Sequence, residues 1–196
     1  MVCTDAAYLD MRVILLPLAA AILCIAGCEK HAASQAAPIL PHYQLTATIV
    51  DLMEGLIDPS ADALWDSVAY ITNAKGTEDR QPRTAEEWQA VRLNAVNLIE
   101  AANLLSMPGR IVANDPANGS PKPGPGELSH ADSQKLIDAN HEGFVQFAHV
   151  LQIAGSEALA AIDAKNAQAL MDAGTTIDNA CEACHVTYWY PNQRRP

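Results

Sequence analysis

Aromatic residues are scarce in this chain, with three Trp, five Tyr and two Phe among 196 residues. A β-sandwich fills the space between its sheets with aromatic and β-branched side chains, so that class is poorly supplied here. Hydrophobic residues make up 49% of the chain, but many are alanines, which suit thin helical packing. Basic residues are few as well: 12 Lys and Arg stand against 23 Asp and Glu, giving a formal charge of −11. No stretch forms a basic cluster, which speaks against nucleic acid as a partner. An acidic surface suits a soluble partner with a basic face, or solubility alone. No run of alternating apolar and polar residues marks a strand. The apolar run at residues 13–27, VILLPLAAAILCIAG, is fifteen residues long, where a membrane span needs about 20.

What is present at the N-terminus reads as a targeting segment. The run follows Arg12 and has the form of an export-signal core. Initiation at Met11 gives the expected basic residue ahead of it, and residues 1–10 are then an extension of the gene start. Residues 1–27 are assigned as the signal peptide. Ile25-Ala26-Gly27-Cys28 resembles a bacterial lipobox, in which the cysteine becomes the lipidated first residue after cleavage. An ordinary signal cleaved near Ala26 is the competing reading. Acyl chains on Cys28 contribute about 0.8 kcal/mol per buried methylene, enough for firm anchoring with two or three chains. Glu29, where an inner-membrane lipoprotein has aspartate, favours the outer membrane. Residues 28–41 form the lipidated cysteine and its tether, whose thirteen linking residues reach roughly 45 Å when extended. Loss of residues 1–27 removes Asp5, Asp10 and Arg12, leaving 21 acidic and 11 basic residues and a charge of −10. With Cys28 acylated, Cys181 and Cys184 remain, and in an oxidising compartment they would pair unless otherwise committed.

Residues 42–190 carry helical periodicity, and 191–196 a short tail. In YQLTATIVDLMEGLIDP, Leu45, Ile49, Leu52, Met53 and Leu56 share a face. Asp58-Pro59 is expected to break and restart the helix, with Leu64, Trp65, Val68 and Ile71 on the second piece. A loop follows at 74–83. Thr84 and Glu87 form a capping box before the stripe Trp88, Val91, Ala95, Leu98, Ala102 and Leu105. Residues 109–127 are rich in Pro, Gly and Asn and read as a loop, either shielding a site or inserted without one. Ser129 opens a third helix whose stripe runs from Ile137 through Asn140, Phe144, Phe147 and Leu151 to Ala161. Asn166 caps the last helix, which carries Leu170, Ala173, Ile177, Cys181, Cys184 and Tyr188 at helical spacing. The expected fold is all-α, an antiparallel up-down-up-down four-helix bundle.

CEACH at 181–185 is C-x-x-C-H, the attachment motif of c-type haem. Two thiols one helical turn apart reach two vinyl groups as thioethers, and the adjacent His185 becomes an axial iron ligand. Covalent attachment retains haem after export, so the export signal and the motif support each other. A structural zinc site wants a second Cys pair, which is lacking. A thioredoxin-like pair sits at a helix N-terminus, not well inside the last helix. Two Glu-x-x-His pairs, Glu127/His130 and Glu182/His185, hint at a di-iron bundle, but Glu127 precedes its helix and matching glutamates are not evident.

A C-terminal C-x-x-C-H on the fourth helix of an exported all-α domain resembles the class II cytochromes c, cytochrome c′ and its low-spin relatives. The class pattern continues with an aromatic three residues after the histidine, met by Tyr188, and then Lys or Arg, where this chain has Trp189. The resemblance implies one covalent haem held by Cys181 and Cys184, with His185 as proximal ligand. It also implies a distal methionine from the first helix in the low-spin members, for which Met53 is the candidate. Met107 and His141 are further candidates by position, and an apolar Leu52 or Leu56 over the iron is the open-site alternative. The resulting expectation is a lipid-anchored carrier in periplasmic electron transfer, rather than an enzyme. It would meet redox partner proteins and touch the membrane through its anchor, with a homodimer left open. The alternative is a cytochrome c′-like five-coordinate protein binding nitric oxide or carbon monoxide. Cys28→Ser is expected to move the expressed chain from the membrane pellet to the soluble fraction; unchanged membrane retention would remove the anchor assignment.

Overall fold

The computed structural model describes residues 43–114 and 120–191, and these are mostly helical. The signal segment, Cys28 and the tether lie outside the described residues, as do 115–119 of the long loop and 192–196 of the tail. The elements are α1 (Ile49–Leu52), a π-helical segment (Met53–Ile57), α2 (Asp58–Ser67), β1 (Ala69–Asn73), β2 (Gly76–Arg80), α3 (Ala85–Leu105), α4 (His130–Ala139), α5 (His141–Asp163) and α6 (Ala167–Tyr188).

Thr48 starts α1 by a reciprocal cap: its hydroxyl accepts the Asp51 amide at 3.1 Å, and Asp51 accepts the Thr48 amide at 2.8 Å. Leu45 therefore falls ahead of the helix and is exposed, not part of its buried face. The break expected at Asp58-Pro59 does not occur. α1, the π-helical segment and α2 follow one another directly, and Asp58 is itself helical with no capping bond. The Asp58 amide bonds to the Met53 carbonyl, the wide spacing of a π-turn. An ordinary helical turn would set the Pro59 ring against the Gly55 carbonyl. The widened turn immediately before it relieves that clash.

The second correction is a β-hairpin where a helix end and a loop were expected. β1 and β2 pair antiparallel, with Tyr70 opposite Asp79 and Thr72 opposite Thr77. The two threonine hydroxyls lie 3.1 Å apart across the pair. The turn is stabilised by Asn73 Oδ1 accepting the Lys75 amide at 2.8 Å, and Gly76 supplies the positive φ of 126°. Ile71 thus stands exposed on a strand. Neither face of this hairpin is buried, so it leaves no alternation to read.

α3 follows its expected cap and stripe: Thr84 accepts the Glu87 amide, and all six stripe residues are buried. The expected third helix is two. Asn140 leaves helical geometry at φ −149° and ψ 64°, and its side chain accepts the Gly143 amide at 3.0 Å, capping α5 afresh. Asn140 is therefore an exposed junction and not a stripe residue. Its cap bond competes with helix continuation, which is why an Asn within an apolar stripe breaks it.

α3 packs on α5, α5 on α6, and α2 on both α3 and α6. The α3–α5 contact is close because its buried residues are small: Ala95, Ala101, Ala102, Ala154 and Ala158 are fully enclosed. A Cβ added to Gly155 would lie 2.8 Å from Ile99 Cγ1, so the glycine sets how near the helices come. Trp65 Nε1 donates to the Gly174 carbonyl at 2.9 Å and ties α2 to α6.

Both described ends of the long loop are fastened. The first two amides of α1, at Ile49 and Val50, donate to Ile111 and Val112 carbonyls at 2.9 and 3.0 Å, satisfying groups a helix start leaves open. Arg110 is buried at 6% exposure beside them. It donates to the Leu104 carbonyl at 2.9 Å and to the Ala47 carbonyl, joining the end of α3 to the start of α1. At the other end, the Leu128 amide donates to the Trp189 carbonyl at 2.8 Å. Arg110→Leu removes the side-chain donor to the Ala47 carbonyl and leaves the Leu104 carbonyl only the Met107 amide at 3.3 Å, and is expected to cost about 1–3 kcal/mol. The exposed Arg80→Ala should stay within about 0.5 kcal/mol. Urea unfolding of the two variants checks the contrast.

Candidate functional site

α6 begins where Asn166 Oδ1 accepts the Ala169 amide, after Lys165 takes the left-handed φ of 52° that closes the turn from α5. Its stripe Leu170, Ala173, Ile177 and Ala180 is buried. Cys181 and Cys184 continue that line and are half-buried, packed against the core. Beyond them Tyr188 is enclosed by two edge-on rings, Phe144 at 5.5 Å and Phe147 at 5.8 Å, which closes this end of the core.

The two thiols and His185 border a cleft made of two adjoining cavities. The inner one, about 180 Å³, is walled by Cys181, Cys184 and His185 on one side and by Met53, Ile57 and Phe144 among others. The outer one, about 420 Å³, also has Cys184 and His185 in its wall. Met53, Asp58, Phe144 and Tyr190 are common to both. Met53 is the first residue of the π-helical segment, so the turn that absorbs Pro59 also sets this sulfur at the cleft. π-turns recur at functional sites because they re-aim side chains.

The remaining candidates separate cleanly. Met107 and His141 line a different cavity of about 380 Å³ that reaches neither Cys184 nor His185. Leu56 lines neither part of the cleft, and Leu52 is buried at 2% without bordering it. Three cleft residues escaped the reading of the sequence. Asp58 looked like a helix cap and is instead a helical residue bordering both cavities. His130, noted in the sequence only as half of a Glu-x-x-His pair, has its ring 5.6 Å from Trp189 and borders the outer cavity. Ser133 is fully buried, borders the same cavity, and its hydroxyl has no hydrogen-bond partner among the described residues. No periodicity points to such residues, because Asp58 on α2 and the His130/Ser133 pair on α4 meet only through the packing of distant segments. The long loop contributes Lys122, Gly124 and Glu127 to the outer cavity, so its described part lies over this end of the molecule.

Burial governs the chemistry of the donors. It pushes the Cys181 thiol up to about 11, helped by Asp58 and Asp178, and the Cys184 thiol up to about 12, helped by Cys181. Both are therefore protonated at neutral pH and poor nucleophiles. Burial also lowers His185, against the pull of Asp58, Glu182 and Glu127, so its imidazole is neutral at pH 7 and has a lone pair to give. Desolvation raises the Asp58 carboxyl, with His185 opposing the shift. Among the described residues, no group of three or more His, Cys, Asp and Glu side chains is arranged to hold a bare metal ion.

The raised thiols have a pH signature. Alkylation of the haem-free chain should be slow at pH 8 and keep accelerating to about pH 11, without the plateau near the ordinary thiol value of about 8.5. Folded thiols hold their protons through the range where unfolded ones lose them. Stability is accordingly full below about pH 8.5 and falls as the pH rises toward 11 to 12. Urea titrations across that range check the sign. In comparisons with known proteins, no family model, no curated protein and no solved structure matches this chain.

Proposed function

We propose that this chain is an exported c-type cytochrome, held at the periplasmic face of a bacterial membrane, the outer one favoured, by lipid on Cys28. It carries one covalent haem and transfers electrons. The carrying observation is that Cys181, Cys184 and His185, spaced as C-x-x-C-H, border one cleft together with the sulfur-bearing Met53 from a distant helix. In this reading the long helical runs α1–α2, α3, α5 and α6 form an antiparallel four-helix bundle of the class II cytochrome c kind, with α4 placed across the cleft end.

The residues present fit such a group. The cleft is apolar along Ile57, Leu105, Phe144 and Leu151, as a porphyrin face requires. The orphaned Ser133 hydroxyl and the Lys122 amine border the outer cavity, where a carboxylate-bearing edge would find donors. The thiols, too protonated for thiolate catalysis, suit a covalent tether. Cys181 and Cys184 would carry the thioether links, the neutral His185 would be the proximal ligand and Met53 the distal one. The bound group supplies a reversible one-electron couple. The chain excludes water from its apolar face and presents a rim of carboxylates, Asp58, Glu127, Asp178 and Glu182, to a redox partner with a basic surface.

His130 borders the same outer cavity and is the rival distal donor. The test is expression with a covalent haem-attachment system, followed by mass measurement and visible spectra in both redox states. Expected are a mass gain of one haem, lost in the double variant Cys181→Ala/Cys184→Ala, and a low-spin spectrum. Met53→Ala should turn that spectrum high-spin while His130→Ala leaves it low-spin; the reverse pattern gives the ligand to His130. A high-spin wild type that binds carbon monoxide tightly moves the function to gas binding, and no mass gain removes the cytochrome reading.

A further inference from the structure

Beyond the motif histidine, the chain turns back on itself. The amides of Trp189 and Tyr190 both donate to the His185 carbonyl, at 2.8 and 2.9 Å. α6 ends there, and this double bond folds Tyr190 toward the helix it has just left. The Tyr190 and His185 rings lie 5.7 Å apart at 60°. The phenol oxygen then stands between two groups of α6: Glu182 Oε2 at 2.7 Å and His185 Nδ1 at 3.5 Å.

The phenol has one proton and cannot give it to both. A carboxylate at 2.7 Å is the closer and the charged acceptor, so the proton goes to Glu182. What the oxygen offers His185 is then a lone pair, which only a protonated Nδ1 can use. A neutral imidazole carrying its proton on Nδ1 has its lone pair on Nε2. We propose that Tyr190 is a positioning residue for His185: held as a donor by Glu182, it accepts the Nδ1–H, fixing the tautomer and ring orientation that leave Nε2 as the ligating nitrogen. This rests on the cytochrome reading for its use, though the tautomer belongs to the chain alone. Metal-bound histidines regularly give their second N–H to a carboxylate, carbonyl or water, which makes the ligand more basic. Here a phenol backed by a carboxylate takes that place, and an electron-rich imidazole favours the oxidised iron.

Two measurements separate this inference from the reading beneath it. In the full-length haem-free chain, labelled with nitrogen-15 and kept reduced, the His185 ring signals are expected to show the Nδ1–H form at a pH where the imidazole is neutral. Tyr190→Phe should convert this to a mixture of tautomers. In the haem-loaded protein, Tyr190→Phe should raise the midpoint potential and change the iron–histidine stretching frequency. Glu182→Gln, which keeps an acceptor but loses the charge, should raise the potential less. Tyr70→Phe, on the exposed hairpin, is the control and should change none of these. Unchanged tautomer and potential in Tyr190→Phe overturn the inference while leaving a haem-bearing chain a cytochrome. A chain that takes no haem yet shows the tautomer shift keeps the Tyr190–His185 contact and loses the cytochrome reading.

Discussion

Ala173, Ile177 and Ala180 on α6 are pressed into the core with almost no exposed surface, and the next positions on the same line are Cys181 and Cys184. Burial of this one stripe decides three things together. Each buried methylene contributes about 0.8 kcal/mol to holding α6 against its neighbours. The same exclusion of water keeps the thiols protonated and His185 neutral. And because the stripe passes from alanine and isoleucine to cysteine without leaving the interior, a molecule joined to the thiols would extend the core.

The cleft exists because the packing around that stripe is uneven. Between α3 and α5 many of the buried residues are alanines, and the helices lie close enough that a Cβ on Gly155 would meet Ile99 at 2.8 Å. At the α6 C-terminal end the first helical run widens into a π-turn, and α4 breaks from α5 at Asn140. Both departures occur where the two cavities lie. A regular helix with Pro59 in its middle would suffer a steric clash; the π-turn removes it and sets Met53 and Asp58 on the cleft wall. The described loop residues Lys122, Gly124 and Glu127 border the outer cavity, and Tyr188 seals the end with Phe144 and Phe147.

Legibility in the sequence followed burial. The α3 stripe, the Thr84–Glu87 box, the Ser129 and Asn166 caps and the α6 stripe were all readable, since each is a local pattern enforced by one buried face. The hairpin at 69–80 was not, because both its faces meet solvent and no alternation is imposed on it. Asn140 was misplaced because its spacing fits a stripe while its side chain prefers a backbone amide. Asp58-Pro59 suits a helix start as well as it suits a continuing helix whose preceding turn is widened, and only the spacing of the carbonyls before it tells the two apart.

For the candidate site, the grouping is legible in the chain alone: two thiols and an imidazole at fixed helical spacing, continuing an apolar helix face. That spacing is covalent and local, so no tertiary contact is needed to read it. What surrounds them depends on how distant segments pack. Met53 shares their cleft while Met107 and His141 line another cavity; Asp58 enters the wall from α2 and His130 and Ser133 from α4; and Tyr190 returns over His185 through a helix-ending turn. Such meetings depend on where helices end, widen and cross, and those points are set by packing between segments far apart in the chain.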